Sequence, residues 1–596
     1  MKNLLIFFLS ILIIGCSSPT NETNSDDDID VELPDEIQND CPGWGAVNYI
    51  IEKQEDLDRF GLLFPNCKTF RGNIIFKEIV NLNTENLSNI ESIEGSLIFD
   101  DLNEGPYNLS GLNNLKSISS HFEFKYTYLS SIPSNFQKLE YVGGNFKIYE
   151  NVNLKSIKEF DNLSFVGGDL KTYQNVSLES ITEFDNLSTI GGSFEIRDNH
   201  SLKILGNFPK LIEVGGNLNF ERNDDLAFLG EFEALTTIYG EFRMDLNDNN
   251  TLSEFSGFNN LTSVKDMILG GMTAVNISGF NNIETINGLL AFGAIFELSG
   301  FQSLNHIDGD LSIQWTHFED LRILDQLQSI GGDLKIRSND YLTSLNGLEQ
   351  LTTIGGNFDI NGNDALINLE GSNNITSLGG TVIIERNFSL KTISGFNNIQ
   401  SIKELLISQT GGIESLTGFN SLTHIDDNLH FANTTTPGIV IDAFHSLETI
   451  GKGLFIMWSY DIVTFEGFTN LTSVGEDFHF DGSSELTNLD NFLNLTSVGG
   501  TFAINNHASL ENLDAFINVQ TDVKNLFIEK NQAINDISGI QNINSVSEYI
   551  HILDNPMLTD CSISTICQHL NNGLNNYIGD NGLGCNSESD VINSCD

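Results

Sequence analysis

Basic residues are scarce in this 596-residue chain: 28 Lys and Arg stand against 81 Asp and Glu, a net charge of −53. A surface that acidic repels phosphate backbones and anionic headgroups, which argues against nucleic acid as a partner and against electrostatic docking on membranes. Proline is rare, with 9 residues, and turns fall instead to Asn and to the 53 glycines. Beyond the N-terminus no apolar run is long enough to cross a bilayer. There is no G-x-x-x-x-G-K-[ST], no G-x-G-x-x-G after a strand, no H-E-x-x-H, no G-x-S-x-G and no C-x-x-C, so the signatures of nucleotide, zinc-protease, serine-hydrolase and dithiol chemistry are missing. Nor does any stretch carry the 3.6-residue stripe of a long amphipathic helix. What remains is a chain with 40% hydrophobic residues, 42 of its residues Phe, which is enough to fold.

The first residues read as an address. A short basic start, Met1-Lys2-Asn3, precedes an apolar run from Leu4 to Ile14 that is too short to span and fits a signal h-region, giving a signal peptide over 1–15. The run ends in Ile13-Ile14-Gly15-Cys16, which resembles a bacterial lipobox; the resemblance implies that Cys16 is lipidated and becomes the mature N-terminus. Residues 16–40 are acidic, without basic residues or apolar periodicity, and read as a flexible tether. Within it Ser25-Asp26-Asp27-Asp28 is similar to the Ser-plus-acidic signal that exports some Bacteroidota lipoproteins to the outer face of the outer membrane.

From Arg71 to Ser547 the chain repeats itself. Phrases such as "LSFVGGDLKTYQNVSLESI" and "LSTIGGSFEIRDNHSLKIL" recur, and with the first Gly of each pair as position zero there are 20 intervals over 476 residues, 23.8 residues each. Apolar residues hold positions +3, +5, +11, +14, +17, +20 and +23, as in Phe194, Ile196, Leu202, Leu205, Phe208, Leu211 and Val214 after Gly191. The +3/+5 alternation is that of a strand, and the steps of three that follow spend their other residues on polar and turn types. An Asn stands at +8 in ten repeats: 151, 175, 199, 223, 247, 339, 363, 387, 531 and 555. Bends stacked inside a coil leave backbone groups without partners, and an amide column supplies both donors and acceptors. The Gly pair is expected to allow positive φ or a close approach between coils. The expected fold is an all-β parallel solenoid of about 21 coils of ~24 residues, roughly 100 Å long at ~4.8 Å per layer. Its exposed ends need caps. Cys41 and Cys67 bracket a helical lead-in within an N-terminal cap over 41–70; the repeats fill 71–557; and Cys561, Cys567, Cys585 and Cys595 belong to a C-terminal cap over 558–596, with three pairings open. Disulfides suit an oxidising envelope or exterior.

The repeat consensus L-x-x-I-x-G-x-L-x-I-x-x-N-x-x-L and the lead-in "DLDRFGLLFPNCKTFRGNIIF" resemble the receptor L-domain family, leucine-rich right-handed β-helical repeats known from receptor ectodomains, with similar arrays in Bacteroidota surface lipoproteins. The resemblance runs from about Cys41 to Cys595 and implies a right-handed β-helix that binds something extracellular. The chain departs from the receptors in being longer and in having no Cys-rich module and no kinase.

No cofactor or metal site is expected. His430 and His479 share the +4 column but lie two coils apart with Phe455 between them, ~10 Å, too far to hold one ion. "DLNDNN" (245–250) lacks the Gly and distal Glu of an EF-hand and reads as a surface bulge. Asp310 and Asp333 could pair for sugar chemistry, but their +2 column favours turn formers, so a structural use is expected. The candidate ligand-binding residues are departures from the repeat: Trp315 and Trp458 at +7, with His317 and Tyr460 beside them. The function expected is noncatalytic recognition or adhesion by a lipid-anchored, cell-surface outer-membrane protein, its partners the bilayer through Cys16 and an extracellular protein or glycan. The rivals are a carbohydrate-active lyase or hydrolase and an envelope spacer.

Overall fold

A computed structural model describes residues 41, 48–103, 105–132, 136–249, 251–252, 254–432, 439–457 and 462–595. The signal peptide, the tether with Cys16 and Ser25–Asp28, and Trp458 and Tyr460 lie outside these residues. The described chain is a parallel β-solenoid of about 21 turns with three short α-helices. Each regular turn contributes a four-residue strand at +3 to +6, such as Leu170–Tyr173, Phe194–Arg197 and Leu218–Glu221. These pair in parallel with equivalent residues in register, Leu170 beside Phe194 beside Leu218. One 36-stranded sheet therefore runs along the molecule; two four-stranded parallel sheets form at +13 and +14, and a five-stranded one forms at +22 and +23 in the C-terminal half.

The pattern of burial follows the repeat. In Phe194–Arg197 the +3 and +5 side chains are buried and the +4 and +6 side chains face out. The +17 phenylalanines stack through the interior: Phe136, Phe160, Phe184, Phe208, Phe232, Phe258, Phe280 and Phe301 form one column with ring centroids 4.8–5.8 Å apart. A continuous apolar core of this kind needs every turn to bury its face against the next.

The Asn column is the ladder that the bends require. Asn151, Asn175, Asn199 and Asn223 are at most 1% exposed. Each Oδ1 accepts the backbone N–H of the Asn one turn earlier, at 3.0, 3.1 and 3.2 Å. Each Nδ2 donates to the +5 carbonyl of the preceding turn, Phe124, Ile148, Thr172 and Ile196 in order. Where Asn is missing, Thr127 and Thr316 enter the ladder by donating N–H and Oγ1 to the next Asn. Asn581, in the C-terminal cap, extends the ladder one turn past Asn555.

Of the two uses expected for the Gly pair the structure shows the close approach, and one ladder position, Asn247, is corrected. The Gly pair does not adopt positive φ; the left-handed residue is at +7, immediately before the ladder, in Glu150, Gln174, Asp198, Arg222, Ser338 and Arg386, with φ of 50–55°. The pair exists for close approach: a Cβ on Gly191 would lie 2.3 Å from the carbonyl oxygen of Gly167, and one on Gly215 would lie 2.1 Å from that of Gly191. Asn247 is not at a corner. It lies inside the strand Thr237–Asn249, whose register shifts between Asp245 and Asn249. With Ser263–Ile277 and Leu290–Leu298, this strand belongs to a stretch where the corner straightens and the sheet widens.

The ends are closed as expected. The helix Gln54–Leu63 buries Leu57, Phe60 and Leu63, with Phe60 5.6 Å from Tyr49 and 5.9 Å from Phe70, and Cys41 pairs with Cys67. At the far end the open pairing resolves to Cys561–Cys585 and Cys567–Cys595. The sheet runs into both capping segments: Asn48–Ile51 pairs with Asn73–Lys77, and Asn575–Gly579 pairs with Ser545–Leu553. Among the described residues no helix is long and apolar enough to cross a membrane.

Candidate recognition groove

The ladder creates a surface feature as well as a core. A +8 side chain points inward, while the left-handed +7 residue and the +9 residue point out on either side of it. Successive turns thus stack two walls along the corner, with buried +8 residues as the floor. At the N-terminal end the groove holds about 760 Å³, between Glu78, Asp101, Tyr126, Glu150, Gln174 and Asp198 on one wall and Tyr128, Val152, Val176 and His200 on the other. Near the C-terminus the same columns line about 560 Å³ beside Asn506, Lys530 and Asp554.

Trp315 and His317 stand on these two walls, flanking the ladder residue Thr316. Trp315 has φ 54° and is 64% exposed. It does not fold back over its coil, because the left-handed backbone sends it outward and Thr316 already serves the ladder. The His317 ring lies between Phe296 and Tyr341, with centroids 3.6 and 4.5 Å away and ring planes within 25°. Phe296 and Tyr341 are both exposed, so the three rings make an aromatic stack at the corner, across the ladder residue Thr316 from Trp315. Phe296 holds the +9 position of His317 one turn earlier, whereas Tyr341, two residues after the ladder Asn339, stands at +10, outside the pattern that marked His317.

Other singled-out residues have structural work. Asp310 and Asp333 belong to a second ladder at +2: Asp310 Oδ1 accepts the N–H of Asp333 at 2.8 Å, Asp333 Oδ1 accepts that of Asn357 at 2.7 Å, and Lys335 Nζ is 2.9 Å from both carboxylates. Phe455 sits between His430 and His479, with centroids 4.5 and 5.5 Å from them, and burial pushes both imidazoles below the ordinary histidine range. On the outward sheet face Tyr149 stacks on Tyr173 at 4.8 Å and Arg197 lies over Tyr173. Burial raises both phenols above their usual range.

His507 is a ladder member that the Asn count missed. It occupies +8, its backbone N–H donates to Asn531 Oδ1 at 3.1 Å, and its ring nitrogens face the carbonyl oxygens of Ser483 and Phe480, each at 3.2 Å. A neutral imidazole has one N–H and can serve only one of them. Burial holds its pKa below the ordinary value. The unfolded chain therefore takes up the proton first, so the contribution of His507 is present above about pH 6.5 and is lost as pH falls below it. His507→Asn is expected to restore the amide donor to Phe480 and to raise the unfolding temperature more at pH 5 than at pH 7; calorimetry at the two pH values checks it.

Comparison with known proteins agrees with this architecture in one segment. The family model for the receptor L domain matches residues 305–393, the turns that carry Trp315, His317 and Tyr341. No curated protein matches. A chain in the crystal structure of a TLR13–ssRNA13 complex is similar at 16% identity, covering 89% of this chain and 87% of that one; its TM-score of 0.28 gives the likeness no weight here. The fold and the matched segment define a parallel β-solenoid with receptor-L-domain-like turns.

Proposed function

We propose that this protein is a noncatalytic recognition or adhesion protein, lipid-anchored through Cys16 and displayed on the cell surface. The observation that carries the reading is the exposed Trp315, set by a left-handed corner beside the Phe296–His317–Tyr341 stack, within the segment that matches the receptor L domain. A large ring held rigidly on an inextensible scaffold loses little freedom on binding, which is how aromatic anchors come to dominate interfaces. The acidic tether and the lipobox-like Cys16 support placement away from the membrane surface.

The test uses intact cells carrying the full chain. Antibody and protease are expected to reach the solenoid without lysis. A labelled panel of extracellular proteins and glycans is expected to yield a ligand whose binding drops roughly tenfold or more in Trp315→Ala/His317→Ala, as for a hot-spot residue, at unchanged unfolding temperature. Protection until lysis would favour the envelope spacer, and shortened glycan chains would favour an enzyme.

A further inference from the structure

At the N-terminal end the two walls of the groove differ in chemistry. The +7 wall carries Glu78, Asp101 and Glu150, and among the described residues no Lys or Arg pairs with any of the three. Neighbouring carboxylates are neutralised: Asp100 lies 3.2 Å from Lys125 and Asp198 lies 2.9 Å from Arg222. The opposite wall is apolar up to His200 at its end, with Tyr128 and Val152 each 45% exposed and Val176 49% exposed; Lys77, beside Glu78, is the one cation of Lys or Arg type among the lining residues. Val152 and Val176 are equivalent residues of adjacent turns and face the cavity side by side with Tyr128. The floor is closed. Ile79, Leu102, Thr127, Asn151 and Asn175 are buried, and the Asn151 and Asn175 amides are engaged in the ladder.

We propose that this stretch of the groove binds an extended peptide segment in which basic and apolar residues alternate. An extended chain sends successive side chains to opposite sides. Walls of unlike chemistry on either side of a floor with no free polar groups suit such a segment, its cations toward Glu78, Asp101 and Glu150 and its apolar side chains toward Tyr128, Val152 and Val176. The five intervals from Glu78 to Asp198 span ~24 Å, the length of seven or eight extended residues. The net charge of −53 draws a cationic segment to the molecule from a distance. A polymeric amino sugar would meet the carboxylates but would leave the valine wall unused. The inference rests on the recognition reading above and gives this part of the groove a ligand class.

The probe is an octapeptide of alternating Lys and Val, titrated onto the full chain by fluorescence anisotropy. Alternating Lys–Ser and Glu–Val octapeptides and a deacetylated chito-oligosaccharide are the comparators. Lys–Val is expected to bind, more weakly as salt rises, and Glu–Val is not. Glu78→Gln/Asp101→Asn/Glu150→Gln is expected to weaken Lys–Val binding roughly tenfold, the combined effect of three exposed charge pairs. Gln and Asn already occupy left-handed corners at Gln174 and Asn506, so these substitutions suit the backbone. Val152→Ser/Val176→Ser is expected to weaken it while leaving Lys–Ser unchanged. Equal affinity for Lys–Ser and Lys–Val, indifference to both sets of substitutions, or groove-dependent binding of the chito-oligosaccharide without Lys–Val would overturn the proposal. If Lys–Val fails while a surface ligand still depends on Trp315, only this inference falls; if neither binds, the recognition reading falls with it.

Discussion

Replacing Asn175 by Leu is expected to destabilise the solenoid by about 1–3 kcal/mol, because it leaves a buried backbone N–H without a partner. The orphan is the N–H of Asn151, now bonded to Asn175 Oδ1 at 3.0 Å; the carbonyl of Ile148 also loses Asn175 Nδ2, at 3.0 Å, but stays within the parallel pairing of its strand. Leu is close to Asn in size, so the effect reports hydrogen bonding rather than a cavity. Asn175→Thr is expected to cost less, since Thr127 and Thr316 already occupy ladder positions. Turns of a solenoid are coupled chiefly to their neighbours. Hydrogen exchange should therefore accelerate around residues 150–200 while the disulfide-closed caps keep their protection. Uniform loss of protection along the chain, or equal stability of the Leu and Thr variants, would count against the ladder.

Gly215→Ala is expected to be as damaging with a single added carbon. Its Cβ would lie 2.1 Å from the carbonyl oxygen of Gly191 and 2.7 Å from that carbonyl carbon, both main-chain atoms that cannot rotate away. Relief requires adjacent turns to separate, which breaks the parallel pairing of Glu213 and Val214 with the turns on either side. Overpacking of this kind costs about 1–3 kcal/mol where side chains can yield and more where only backbone can. Gly579→Ala is the control: the nearest atoms to its Cβ are 3.9 Å away. Urea unfolding followed by circular dichroism should show a large drop for the first variant and little change for the second. Similar midpoints for the two would mean that the coils are less tightly stacked than their geometry states.

The sequence alone determined the period, the strand at +3 to +6, the buried columns and the role of Asn at +8. These were legible because each is a property of one turn repeated many times, and stacking makes identical positions neighbours. Phe194 and Ile196 face inward for the same local reason as Leu218 and Phe220. Caps and cysteines were legible as segments, but three pairings of the last four cysteines satisfied the same spacing. Only the fold brings Cys561 to Cys585 and Cys567 to Cys595.

The tertiary structure alone decided the corner. Glu150, Gln174, Asp198 and Trp315 share no residue type that announces left-handed backbone, a conformation costing about 1–2 kcal/mol for an ordinary residue. It is held because the next residue is tied into a ladder of bonds from the turns before and after. The straightened strands between Thr237 and Leu298 depend likewise on how adjacent turns pair. The groove follows from both effects, since its walls are made of residues some 24 positions apart in the chain. No one-turn pattern places Glu78, Asp101 and Glu150 on one side of the floor and Val152 and Val176 on the other. A repeat specifies its own turn; what the turns present together is decided only when they are stacked.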